Sequence, residues 1–159
     1  KDRMARYSEE GVDYQENMER LLKKHHTART YVPPAIIRKA AEPAKLGVIY
    51  YGSTSPAIVE ADEQLAEKGV TLDLMRLRGF PFGDEVAAFI AEHDQVFVVE
   101  QNRDGQMRSL LINELDIDPA WLIRILHYDG TPITARFITE AVTRQVHAIA
   151  VQPRRARIQ

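Results

Sequence analysis

The sequence contains no cysteine, which removes disulfides, thiolate-held iron–sulfur clusters and thiol nucleophiles from consideration together. Long apolar runs are missing as well. None approaches the roughly 18 residues that would span a bilayer, so no membrane segment is expected. Nor is there an excess of one charge: 21 Lys and Arg stand against 23 Asp and Glu, for a net charge of -2. That balance gives no general attraction to nucleic acid or to an anionic membrane, and neither is expected as a partner. There is no Walker lysine, no G-x-G-x-x-G and no G-x-S-x-G elbow, which argues against P-loop, dinucleotide-binding and α/β-hydrolase chemistry. The amino end shows no secretory leader, and a cytoplasmic location is the expectation. The polar opening KDRMARYSEEGVDYQ starts at Lys1 without a methionine; we read it as a piece of a longer polypeptide.

What is present is ordinary for a soluble globular chain: 159 residues, 45% hydrophobic and 28% charged. One domain of this length buries roughly 70% of its unfolded surface. Tyr14 to about Ala28 carries Met18, Leu21 and Leu22 among charged residues, predicting a polar helix with a narrow apolar stripe. Val32-Pro33-Pro34 forces an extended path. The expected organisation is an N-terminal helix and proline-containing linker over 1–44, a compact domain over 45–149 and a tail over 150–159.

Within the compact domain a strand–helix pattern repeats four times. Strands are expected at Leu46–Tyr51, Val70–Leu77, Gln95–Glu100 and Leu122–His127. Ser55-Pro56 predicts a capped helix start, and Gly69 its close. Asp84 is expected to cap a helix with Val86, Phe89 and Ile90 inward. A third helix runs through Met107, Leu110, Leu111 and Leu115, a short turn starts at Asp118-Pro119, and Thr134 is expected to cap the last helix. This alternation predicts a largely parallel sheet covered on both faces. In such sheets ligands and partners meet the loops at the carboxyl ends of the strands.

Several polar groups fall on that edge. Gly52-Ser53-Thr54-Ser55 between strand and helix can be read as an anion cradle of free backbone N–H groups, or as a plain turn with a serine cap. Glu100, Gln101, Asn102, Arg103 and Asp104 follow a buried strand directly, with Gln106 and Arg108 in the next helical turn. A solvated turn accounts for Asn102 and Asp104-Gly105, but not for the rest. Cations near a helix start oppose its dipole, so Arg103 and Arg108 call for a carboxylate in this chain or on a partner. His127-Tyr128-Asp129 adds an aromatic between titratable groups, a common interface composition. The residues singled out for an interface, or alternatively for a small anion, are Ser53, Thr54, Gln101, Asn102, Arg103, Asp104, Arg108, His127 and Asp129. His25-His26 point about 100° apart on a helix with no ligand at metal spacing, and His93 reads as structural. No catalytic residue and no metal ligand is assigned.

Three stretches carry a resemblance: VVEQNRDGQMRSLL (98–111), LHYDGTPITARFI (126–138) and MRLRGFPF (75–82). They resemble the carboxyl-terminal region of the alpha subunit of 2-oxoacid:ferredoxin oxidoreductases, most closely the 2-oxoglutarate type. GVIYYGSTSPAIVEA is similar to that family's first strand and helix, and YQENMERLLKKHHTAR to its preceding linker helix. The resemblance implies a transketolase C-terminal-like domain: three-layer α/β/α, with a mostly parallel sheet of about five strands, one of them antiparallel. The four repeats supply one strand fewer, so an edge strand is expected in the linker or the tail. It also implies a parent complex that oxidatively decarboxylates a 2-oxoacid to its acyl-coenzyme A and reduces ferredoxin, using thiamine diphosphate, magnesium and an iron–sulfur cluster. This domain is expected to bind none of these cofactors and to be inactive alone. Its partners would be an upstream pyrimidine-binding domain and the beta subunit, with coenzyme A and ferredoxin met through the complex. The alternative is a small-anion module, taking coenzyme A or a carboxylate at Ser53, Arg103 and His127. The tail arginines, Arg154, Arg155 and Arg157, match nothing in the family.

Overall fold

A computed structural model describes residues 1–151. Ala150 and Val151, at the start of the expected tail, continue the last helix, while Arg154, Arg155 and Arg157 lie outside the described residues. Five strands form one sheet: β1 (Ile36–Arg38), β2 (Leu46–Tyr51), β3 (Leu72–Leu77), β4 (Gln95–Glu100) and β5 (Leu122–Leu126). Their order is β1-β3-β2-β4-β5. The three pairings from β3 to β5 are parallel, and β1 alone runs antiparallel, with Ile37 opposite Met75. The expected extra strand therefore lies in the linker. Three residues between prolines give no periodicity to read, and all three are exposed.

Among the described residues five α-helices accompany the sheet: α1 (Gly11–Ala28), α2 (Ser55–Ala66), α3 (Asp84–Glu92), α4 (Gln106–Leu115) and α5 (Ala135–Val151). Side chains alternate between the faces of a strand, and the sheet uses both. Val48, Leu74, Phe97 and Ile123 pack under α2 and α5 through Ile58, Leu65, Ile138 and Val142. Ile49, Met75, Val96 and Val98 pack under α3 and α4 through Val86, Phe89, Ile90 and Leu111. Each inner strand is thus apolar on consecutive residues, as a doubly covered parallel sheet requires. This is the three-layer α/β/α arrangement.

The expected helix ends hold in part. Gly69 closes α2, with its N–H bonded to Ala66 O and Val70 N–H to Leu65 O, and Thr134 Oγ1 accepts from Phe137 N at 3.2 Å. Two caps differ. Ser55 is already helical and its hydroxyl donates back to Gly52 O at 3.0 Å, so Thr54 takes the cap position. Asp84 is the first residue of α3 behind Gly83, and its carboxylate pairs with Arg29 instead. In both cases a tertiary or turn contact took the side chain that a local rule would have assigned to the helix.

Gly47 in β2 lets Phe89 lie against the strand backbone: a Cβ there would sit 2.8 Å from Phe89 Cε1. Gly47→Ala is expected to lower the unfolding free energy by about 1–3 kcal/mol through overpacking. Urea unfolding checks this as a lower midpoint at unchanged slope.

Candidate functional site

The order of the parallel strands reverses between β2 and β4. The chain leaves β2 for α2 on one face and leaves β4 for α4 on the other, so their carboxyl ends bound the crevice where ligands meet doubly wound sheets. Sequence-predicted residues from three loops converge on this edge. Gln101 spans it: Nε2 donates to Ser53 Oγ at 3.0 Å and Thr54 Oγ1 at 3.2 Å, while Oε1 accepts from Ile133 N at 3.4 Å. One side chain thereby ties the β2, β4 and β5 exits together.

Beneath it lies Glu100, fully buried at the end of β4. Its carboxylate accepts from Met107 N at 2.7 Å, Arg108 N at 3.0 Å and Asn102 Nδ2 at 2.8 Å, with Tyr51 OH at 3.5 Å. A helix leaves its first N–H groups without intrahelical partners and carries a partial positive charge there. Glu100 supplies both an acceptor and a negative charge. Asn102 finishes the turn, its Oδ1 accepting from Asp104 N, Gly105 N and Gln106 N at 2.7–3.3 Å. Gly105 (φ +67) takes the left-handed conformation this path needs, and a Cβ there would press on Arg124 Cδ at 3.0 Å.

The two arginines separate. Arg108 Nε donates to Leu122 O at 2.7 Å and Nη2 to Pro119 O at 2.6 Å, so its guanidinium braces the entry to β5. Arg103 is 75% exposed and pairs only locally, Nε to Asp104 Oδ1 at 2.7 Å; its carboxylate partner is in this chain. His127 is buried with its Nε2 2.9 Å from Thr131 O and 3.1 Å from Asp129 Oδ1, its ring edge-on to Phe137 at 4.8 Å. Thr131 N–H and Oγ1 both donate to Asp129, at 2.8 and 2.7 Å, and hold its carboxyl below the usual range. Arg103, Asp104, Tyr128 and Asp129 remain on the outer surface of this rim.

A second polar cluster sits at the opposite, amino end of the strands, beside a cavity of about 400 Å³. Asp73 is buried in β3. Its carboxylate accepts from Ala40 N at 2.8 Å and meets Lys39 Nζ at 3.0 Å and His93 Nε2 at 3.1 Å. His93 Nδ1 donates to Phe89 O at 2.6 Å, and Lys39 also reaches Glu92 at 2.6 Å. These contacts fasten the segment after β1 to the sheet. The sequence does carry a signal for it, an aspartate inside the apolar run Leu72-Asp73-Leu74-Met75, although nothing local to the run names its partners. Among the described residues no group of three His, Asp or Glu could hold a metal ion. None of their helices is long and apolar enough to cross a membrane.

No protein-family model and no curated protein matches the sequence. Solved structures do match. The chain superposes on 2-oxoglutarate:ferredoxin oxidoreductase from Magnetococcus marinus, solved with 2-oxoglutarate, coenzyme A and succinyl-CoA bound, at a TM-score of 0.76 and 21% identity. That match covers 87% of this chain and 24% of the other. A split-gene transketolase, in an inactive tetramer, matches with a TM-score of 0.57 and 17% identity over 71% of this chain and 41% of that one. Transketolase from Pichia stipitis matches at 0.52 and 12% identity over 74% of this chain and 18% of that one. The chain has the fold these enzymes share, and it spans about a quarter of the oxidoreductase chain.

Two predictions separate the buried and exposed parts of these clusters. Glu100→Ala leaves N–H groups without their acceptor and is expected to lower stability by about 2–3 kcal/mol. Arg103→Ala removes only a surface pair and is expected to change stability by less than about 0.5 kcal/mol in the same urea titration. For Asp73, burial pushes the carboxyl upward, but the Ala40 N–H, Lys39 and His93 outweigh it and hold it below its usual range. A carboxyl depressed in the folded state stabilises fully above the unfolded value of about 4, and the contribution fades as pH falls toward the folded value. Asp73→Asn should therefore be less stable at neutral pH and show a flatter stability curve below about pH 4, measured by urea unfolding at stepped pH.

Proposed function

We propose that the chain is the transketolase C-terminal-like domain of the alpha subunit of a 2-oxoacid:ferredoxin oxidoreductase of the 2-oxoglutarate type, serving assembly rather than chemistry. The observation that carries this reading is the extent of the superposition: 87% of the chain at a TM-score of 0.76, against 0.57 and 0.52 for the transketolases. A shared fold does not by itself specify a function. The second support is local: the three stretches that resemble the family all lie at one edge of the sheet, at the ends of β3, β4 and β5.

In this reading the complete complex decarboxylates a 2-oxoacid oxidatively to its acyl-coenzyme A and passes the electrons to ferredoxin, in the cytoplasm. Thiamine diphosphate, magnesium and an iron–sulfur cluster supply that chemistry. The donor set here does not fit them: the chain has no cysteine, and its described acidic and histidine side chains do not converge as metal ligands. The cofactors then belong to the upstream pyrimidine-binding domain and to the beta subunit. Coenzyme A and ferredoxin act on the complex, and the isolated chain is inactive.

The contribution of the chain is a rigid edge. Its inner layer, buried Glu100 with half-buried Asn102 and Arg108, is committed to internal bonds, as is the side chain of Gln101. Its outer layer, Arg103, Asp104, Tyr128 and Asp129, faces outward, with Tyr128 64% exposed. Exposed tyrosine and arginine, here on the loops after the adjacent strands β5 and β4, are residue types enriched among the groups that carry binding energy at protein interfaces. The small-anion alternative needs Ser53, Arg103 and His127 to converge on one ligand. In the structure each has a partner of its own, Gln101, Asp104 and Thr131 respectively.

The test is made on the complex reassembled from complete alpha and beta subunits. Arg103→Ala combined with Tyr128→Ala is expected to weaken subunit association at least about 30-fold, or 2 kcal/mol, by sedimentation. A double variant that assembles and turns over normally would remove the interface role. In parallel, calorimetry of the isolated chain with millimolar 2-oxoglutarate, thiamine diphosphate or coenzyme A is expected to show no heat. Saturable heat with coenzyme A would install the small-anion reading in its place.

A further inference from the structure

Arg124 is a cation at this edge that the chain leaves without a partner. It stands in β5 opposite Val98 of β4, and therefore on the face that α3 and α4 cover. Its chain neighbours Ile123 and Ile125 are buried, yet Arg124 is exposed. Among the described residues it forms neither an ion pair nor a hydrogen bond, unlike Arg103 and Arg108. Its stem is nevertheless held in place. It crosses the start of α4 at Gly105, close enough that a Cβ there would lie 3.0 Å from Arg124 Cδ and 3.6 Å from Cγ. A side chain already laid against backbone loses less freedom when its head is bound. The crossing also joins Arg124 to the rim, since Gly105 directly follows Arg103 and Asp104.

The surroundings of that crossing identify what would meet the guanidinium. The carboxylates nearest to it in the turn are already engaged. Glu100 is buried and accepts from Met107 N, Arg108 N and Asn102 Nδ2, while Asp104 pairs with Arg103. The start of α4 adds positive character of its own, which disfavours an unanswered cation there. A carboxylate is the group that complements this corner, and a guanidinium receives one through a pair of parallel N–H bonds. The partner must come from outside the described residues, and the rim that Arg124 adjoins is the surface already assigned to subunit contact.

We infer that Arg124 receives a carboxylate of the beta subunit when the parent complex assembles, which carries the interface from the rim loops onto the face of β5. The inference rests on the assembly role proposed above and names the chemistry of the partner surface. A charge that only guards a strand margin serves with either sign. A carboxylate receptor needs a cation, and it needs Arg rather than Lys, because only the guanidinium offers a planar fork of donors. An ion pair across the rim also makes association salt-dependent.

Complete alpha subunits with single substitutions, mixed with the beta subunit and sedimented at low and high salt, test it. Arg124→Ala is expected to weaken association at least about 10-fold at low salt, with a smaller loss at high salt. Arg124→Glu should weaken it further, and Arg124→Lys should fall between Ala and the parent. An arginine-directed dicarbonyl reagent gives a second readout that needs no variant. Mass mapping should find Arg124 modified in the 159-residue chain and in the complete alpha subunit, and protected in the complex. An Arg124 that is still modified in the complex would overturn the inference, as would parent-like association of Arg124→Ala or Arg124→Glu. Protection already present in the alpha subunit alone would overturn it too, and would assign the residue to the upstream domain. If the Arg103→Ala, Tyr128→Ala double variant still loses association in those cases, the assembly role stands without Arg124. A beta subunit that does not bind the parent alpha subunit removes both.

Discussion

A carboxylate without access to water organises the functional edge of this fold. Glu100 ends the buried strand β4 and receives the first N–H groups of α4, so strand and helix are joined through one side chain across a tight turn. A buried anion is tolerable only when it is hydrogen-bonded. Here two backbone N–H groups, the Asn102 amide and the Tyr51 hydroxyl provide those bonds. With α4 aimed this way, Gln101 falls between the loops after β2 and β5 and Asn102 closes on Gly105. The crevice at the reversal of strand order is thus bridged from within by Gln101 and its partners. What the edge offers to another molecule is a layer further out, around Arg103 and Tyr128.

That division shapes the functional reading. A sheet edge whose polar groups are already paired is suited to presenting a fixed surface and poorly suited to gripping a small ligand that would have to displace those pairs. The Asp73 cluster does a comparable job at the opposite end, where it fastens the chain after β1 to β3 and α3. Between the two clusters the sheet is apolar on both faces. Interaction in the proposed role is concentrated at the outer rim, where Arg103, Asp104, Tyr128 and Asp129 are exposed.

The sequence spoke clearly where a physical pattern was long enough to repeat. β2 and β4 run Leu46–Tyr51 and Gln95–Glu100 as expected, because compact apolar runs between turn formers leave little choice. β1 was not placed by pattern: its three residues join the sheet only through pairing with β3, a non-local contact. Glu100 was counted among the surface polar residues, since burial of a charge depends on donors seven and eight positions later folding back over it. Asn102, as a turn former, was legible. The separation of Arg103 from Arg108 was not, because it rests on carbonyls at Pro119 and Leu122 that only the fold brings near. Asp84 and Ser55 show the reverse failure, where sound local capping rules yielded to Arg29 and to Gly52 O.

The two margins of the sheet are unlike its middle. At one side β1, three residues long and ending in Arg38, covers β3; at the other β5 presents Arg124 to water among buried neighbours. Short strands and outward charges are how open sheets discourage recruitment of further strands. Neither margin offers the long, flat, uncharged ribbon on which a fibril would nucleate. The domain can therefore be crowded against many other polypeptides without its own backbone serving as a template for polymerisation.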